Sequence, residues 1–288
     1  MRIFDESEAQ YYCSGYSASM GKAQSSVRTF CRQELVGVNT LTEGSREFND
    51  FRDCSLRSVE RHLFLAASQY KFSHELMLAG AISWAYVSVY YGSFYSARAL
   101  LSMFGGWVDG NEVIIEVEKG NIKQQELKIH HLSKKNKNLT AFTTYSGPHQ
   151  IFWDLFYKSM ITLHPWIQEP ELLVGITPVS SNHAWQIYNR NEINYDSCKA
   201  LDLAKDFMAV FQPHQFPDTL PGLLNTQFKI SEAIMTLAFR YAKVFNINTD
   251  ALSILLPAVQ RGHVIDKFIF QVQSGVSVSP KLKAILIN

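Results

Sequence analysis

LMLAGAISWAYVSVYYGSFYSA, residues 76–97, contains no Asp, Glu, Lys or Arg. A helix of this length matches the thickness of a bilayer core. Its polar groups argue against a membrane, because Ser83, Ser88, Ser93 and Ser96 and the tyrosines 86, 90, 91 and 95 are spread along the whole run. Spanning helices keep Tyr and Trp at their ends. The stretch therefore predicts a helix over residues 75–104 inside a water-soluble bundle, beginning near Ser73 with Glu75 in its first turn and stopping at Gly105-Gly106. It is apolar on every side until Arg98, so other helices must surround it. Gly80, Ala81, Ala85 and Gly92 would allow close approach, and the tyrosine hydroxyls need partners once buried.

Working outward, Phe48, Phe51, Leu56, Val59, Leu63 and Phe64 recur at three- and four-residue steps from Ser45 to Tyr70, as one face of a helix capped by Ser45 requires. Residues 1–20 read as a loop or edge strand, and 21–36 as a short helix with Val27, Phe30 and Leu35 on one side. After Gly106 the period drops toward two. WVDGNEVIIEVEKGN and ELKIHHLS then predict a small antiparallel β insertion over about 106–147, whose return loop is 134–147. Pro148 precedes a helix expected to end at His164-Pro165. A further helix, capped by Ser180 or Ser181, is expected through Phe211 with a polar centre at Arg190–Asp196. Three prolines in 212–224 mark a linker.

The fold class expected is therefore mainly α. The organisation is an N-terminal segment (1–44), a helical domain with its β insertion (45–211), a linker (212–226) and a C-terminal helical extension (227–288) with helices at about 227–246 and 250–274.

A formal charge of +1, from 27 Lys and Arg against 26 Asp and Glu, leaves any nucleic-acid contact to a local patch. Cys13, Cys31, Cys54 and Cys198 show neither zinc-type spacing nor a disulfide framework, and the acidic start MRIFDESEAQ lacks a secretory pattern, so a cytoplasmic setting is expected. No phosphate loop, metal cluster or nucleophile elbow is visible, and no cofactor or metal is expected.

Two segments resemble the HEPN superfamily. AISWAYVSVYYGSFYSARALL (81–101) is similar to the family's aromatic, alanine-rich helix ending in a pattern like Ala-Arg-Ala-Leu-Leu. Arg190-Asn191-Glu192-Ile193-Asn194-Tyr195 is similar to the late-helix element that begins Arg-Asn. The resemblance implies an antiparallel helical bundle that pairs as a homodimer and binds RNA or a nucleotide. It also implies a place in a bacterial toxin–antitoxin or antiviral defence system, with an antitoxin or other defence protein as partner.

In the family's ribonucleases the Arg is followed, after four to six intervening residues, by a His, which can exchange protons near neutral pH while the Arg holds the phosphate. Here Tyr195, Asp196 and Ser197 stand at five to seven residues, so the His is missing. The candidate site is Arg190, Asn191, Asn194 and Tyr195, able to bind a phosphate or base, with metal-independent cleavage as the family's further step.

His183, seven residues before Arg190, is the nearest substitute for the missing imidazole. Arg57 and His62 also match the spacing, but roughly one such match is expected by chance. The only basic concentration, Lys128, His130, His131, Lys134, Lys135 and Lys137, with Phe142 and Tyr145 nearby, is a second candidate RNA surface; the ordinary alternative is a solvated loop. The alternative function is a non-catalytic protein–protein interaction module or scaffold.

Overall fold

The computed structural model describes residues 1–16, 26–109, 112–132, 145, 147–211 and 220–247. Its helices are α1 (Glu6–Ser14), α2 (Val27–Glu34), α3 (Arg46–Leu78), α4 (Ile82–Met103), α5 (Pro148–Met160), α6 (Pro170–Ile176), α7 (Trp185–Tyr195), α8 (Ser197–Met208) and α9 (Gly222–Val244). Strands β1 (Thr40–Thr42), β2 (Trp107–Asp109), β3 (Val113–Lys119) and β4 (Glu126–His131) form one antiparallel sheet in the order β1-β4-β3-β2. The protein is thus mainly α, a helical bundle with a small antiparallel sheet. No helix among the described residues is long and apolar enough to cross a membrane.

The apolar run does occupy the centre, since α4 packs against α3, α7, α8 and α9. It does not begin where its sequence suggests. Leu76, Met77 and Leu78 close α3, and the chain reverses at Ala79-Gly80-Ala81. The Gly80 amide donates to the Met77 carbonyl (2.9 Å) and that of Ala81 to Leu76 (2.8 Å), the pairing of a Schellman turn. Gly80 supplies the left-handed residue, at φ +77°. Ser73 lies inside α3, where its hydroxyl donates to the Tyr70 carbonyl.

Inside α4 the hydroxyls of Ser93 and Ser96 donate back to the carbonyls of Val89 (3.2 Å) and Gly92 (2.9 Å). Such bonds let serines lie on a buried face at little cost. At the centre a buried polar network ties four helices together. Gln227 of α9 donates to Ser93 of α4 (3.0 Å) and to Gln186 of α7 (2.9 Å), and Gln186 donates to the Tyr157 hydroxyl of α5 (2.7 Å).

Other boundaries also differ from the expectation. Residues 6–14 form α1 rather than a loop or strand, held by a reciprocal cap between Asp5 and Glu8. In α2, Val27 and Phe30 are buried, as is Leu35 at its end, along the expected side. Helix α5 stops at Met160 and continues as a 3-10 turn over Ile161–Trp166 that accommodates Pro165. The helix expected through Phe211 is two helices. Asp196 ends α7 and its carboxylate caps α8 by accepting from the amides of Cys198 (2.9 Å) and Lys199 (3.4 Å). Neither Ser180 nor Ser181 caps α7, whose start follows Ala184. Most of the linker, and the helix expected at 250–274, lie outside the described residues, as does nearly all of the loop 134–147.

Candidate functional site

The outward stripe of α4 runs Trp84, Ser88, Tyr91, Tyr95, Arg98, at the three- and four-residue steps of one helix face. Arg98 reaches over three rings, 4.8 Å from the Trp107 centroid, 5.5 Å from Phe94 and 6.0 Å from Phe152, and donates to the Val108 carbonyl (3.3 Å). Burial lowers its pKa from the ordinary arginine value. A cleft of about 420 Å³ opens here between α4, α2, the sheet and the start of α5, with Arg28, Arg98 and His149 in its lining. Arg28 is paired with Glu112 (3.0 Å) and Asp109 (3.4 Å). Arg32 also grips Glu112, and these hydrogen bonds hold that carboxyl down at about 2.

His149 follows Pro148 in the first turn of α5. Its ring stacks on Phe94 with centroids 4.5 Å apart, and its Nδ1 lies 2.8 Å from the Tyr90 hydroxyl. Burial pushes its pKa down to about 4, and the charges of Arg190 and Arg98 push the same way. The imidazole therefore lies between arginines that are distant in sequence. Arg190 of α7 sits 5.4 Å from the Tyr90 ring and 5.3 Å from the Tyr91 ring, and donates to the Tyr91 hydroxyl (2.6 Å). Its Nε is buried without a hydrogen-bond partner among the described residues.

Between Arg190 and Arg98 runs a row of near-parallel rings. Tyr91 and Tyr95 have centroids 6.1 Å apart, Tyr95 and His62 6.0 Å, and His62 and Trp107 6.2 Å, with interplanar angles of 28°, 19° and 23°. The buried His62 Nδ1 and Trp107 Nε1 have no hydrogen-bond partner among the described residues.

The residues singled out from the sequence are only partly gathered here. Asn191 joins Arg190, accepting from its guanidinium (2.7 Å). Asn194 is partly exposed, and Tyr195 is 78% exposed and does not join the cluster. His183 precedes α7 and is bound instead to Asp154 (2.9 Å), which also pairs with Lys158. Arg57 is paired with the buried Glu60 (2.6 Å), and His62 stacks with Tyr95 and Trp107. Lys128 is exposed on β4, 3.5 Å from Glu118. Lys134, Lys135, Lys137 and Phe142 lie outside the described residues. Sequence reading missed His149 and Arg28. Neither stands at a motif spacing from Arg190 or Arg98, and only the packing of α5 and α2 brings them in.

Fold and site together define a class: a helical-bundle protein with a small antiparallel sheet and a cleft of arginines, a neutral imidazole and aromatic rings. No family model, curated protein or solved structure matches the chain.

Proposed function

We propose that the chain is a HEPN-like protein that binds single-stranded RNA or a nucleotide along the outward face of α4. The observation that carries this reading is the row Tyr91, Tyr95, His62, Trp107 with Arg190 at one end and Arg98 at the other. Tyr91 and Tyr95, the partly exposed tyrosines of the row, offer sequence-tolerant stacking to bases, backed by His62 and the buried Trp107, and guanidinium groups hold phosphate oxygens. His149 adds a polar hydrogen-bonding group beside both arginines. All these residues come from one chain, so binding here does not depend on the homodimer that the resemblance implies; the homodimer, the RNase step and a place in a toxin–antitoxin or defence system rest on the resemblance alone.

The test is fluorescence anisotropy with a labelled oligouridylate. Arg98→Ala and Arg190→Ala should each weaken binding about tenfold or more, the size of a lost charged hydrogen bond, while Lys128→Ala should leave it nearly unchanged. Full affinity in both arginine variants would sink the reading. Incubating the oligomer in chelator-containing buffer and resolving the products asks separately whether metal-independent cleavage follows.

A second reading, a protein-interaction module, is favoured by the large exposed side chains Trp84, Tyr188, Tyr195 and Leu201. It predicts that Tyr195→Lys abolishes capture of a partner protein and leaves oligouridylate binding intact.

A further inference from the structure

The geometry points to Tyr90 and Trp153 as positioning residues that fix His149 as the neutral tautomer with its hydrogen on Nε2, offered as a donor to an acceptor oxygen of the cleft's ligand. An indole Nε1–H can only donate. That of Trp153 lies 3.3 Å from the Tyr90 oxygen, which therefore accepts. Tyr90 is fully buried, and its own hydroxyl hydrogen needs an acceptor. Among the described residues the acceptor in place is His149 Nδ1, 2.8 Å away. If Nδ1 carried the hydrogen instead, the Tyr90 hydroxyl hydrogen would be buried with nothing to receive it, at a cost comparable to a lost hydrogen bond. The ring is neutral at pH 7, because burial and the two neighbouring arginines oppose its protonation. Its remaining proton then belongs on Nε2.

This inference rests on the proposed RNA- or nucleotide-binding reading for its ligand but not for its tautomer. It assigns His149 a donor's role in which the ring gives a hydrogen bond and takes no proton. A phosphate oxygen, an acceptor already drawn by Arg98, suits that role, and a cationic or donor-only ligand does not.

Nitrogen NMR of histidine-labelled full-length protein at pH 7 tests the first half without any ligand. The expected pattern for His149, assigned by its loss in His149→Gln, is an unprotonated Nδ1 and a protonated Nε2. Tyr90→Phe should turn this into a tautomer mixture, a change that a purely space-filling tyrosine would not produce. A protonated Nδ1 in the unaltered protein overturns the inference, as does an unchanged pattern in Tyr90→Phe.

Titration with inorganic phosphate tests the second half. The His149 Nε2 resonance should move as phosphate binds. His149→Gln, which keeps a donor near that position, should hold phosphate within about threefold, and His149→Ala should weaken it about tenfold. An Nε2 resonance that phosphate leaves unmoved overturns the donor role. Loss of oligouridylate binding with the tautomer and phosphate response intact would instead count against the RNA reading.

Discussion

Burial leaves three imidazoles uncharged: His62, with its pKa pushed down to about 3, and His74 and His149, each pushed down to about 4. Arginine charges act the same way on His62 and His149. Glu232 goes the other way, pushed up to about 7 by burial against the opposing pull of the hydrogen bond it accepts from the Tyr70 hydroxyl. For His149 the folded pKa lies below the unfolded value of about 6.5, so its contribution is whole above that pH and is lost as pH falls toward 4. His149→Gln removes that loss, so its melting temperature relative to the unaltered protein should climb as the buffer is taken from pH 7 to pH 5. Glu232→Gln should gain in the opposite direction, from pH 5 to pH 8, because the folded carboxyl keeps a proton that the unfolded one gives up above about 4.5. Thermal melts at matched ionic strength decide both, and a pH-independent difference contradicts the assignment. At this scale only the position of Arg98 was legible, as the first charge after a long uncharged run; its place over the rings of Phe94, Trp107 and Phe152 at a cleft was not. His149 was not, because its partners Tyr90, Arg98 and Arg190 sit on α4 and α7 and no local spacing links them to α5.

The helices themselves were easier to read than their ends. Ser73 with Glu75 two residues on looks like a helix start, yet the chain turns at Gly80, where a left-handed backbone is needed and glycine alone adopts it freely. Asp196 was read through for a similar reason, since the pattern on either side is helical and only its cap contacts show the break. Two glycines separate backbone strain from crowding. At Gly80 an added Cβ would meet nothing within 4 Å, so Gly80→Ala should cost about 1 kcal/mol, from the positive φ alone. At Gly175 the Cβ would lie 2.8 Å from the Ile234 backbone nitrogen, where α6 meets α9, so Gly175→Ala should cost about 2–3 kcal/mol. Urea unfolding of the two variants gives the comparison, and equal losses would show that α6 and α9 can part without penalty.

Across the whole molecule the near-zero net charge makes ion release a measure of the cleft. If Arg28, Arg98 and Arg190 each meet a phosphate, the logarithm of the oligouridylate binding constant should fall against log salt with a slope of about −2, at roughly 0.7 per single-strand phosphate. A slope steeper than about −4 would place the binding surface elsewhere, on a broader basic area such as the one around Lys128. The mainly helical class could be read from one uncharged stretch because a helix apolar on every side has to be surrounded by other helices. The sheet could be read only in part, since β1 is three residues long with Leu41 as its single buried side chain. That short strand has a consequence for the order of folding. Leu41 lies opposite Leu127 and Thr42 opposite Glu126, and all of α3 and α4 intervenes between the two strands. The hairpin of β3 and β4 is local and can close within microseconds, whereas β1 can reach β4 only after the long helical pair has folded back on itself. The sheet edge is therefore the clock hand of the fold, the contact whose appearance reports that α3 and α4 have already docked.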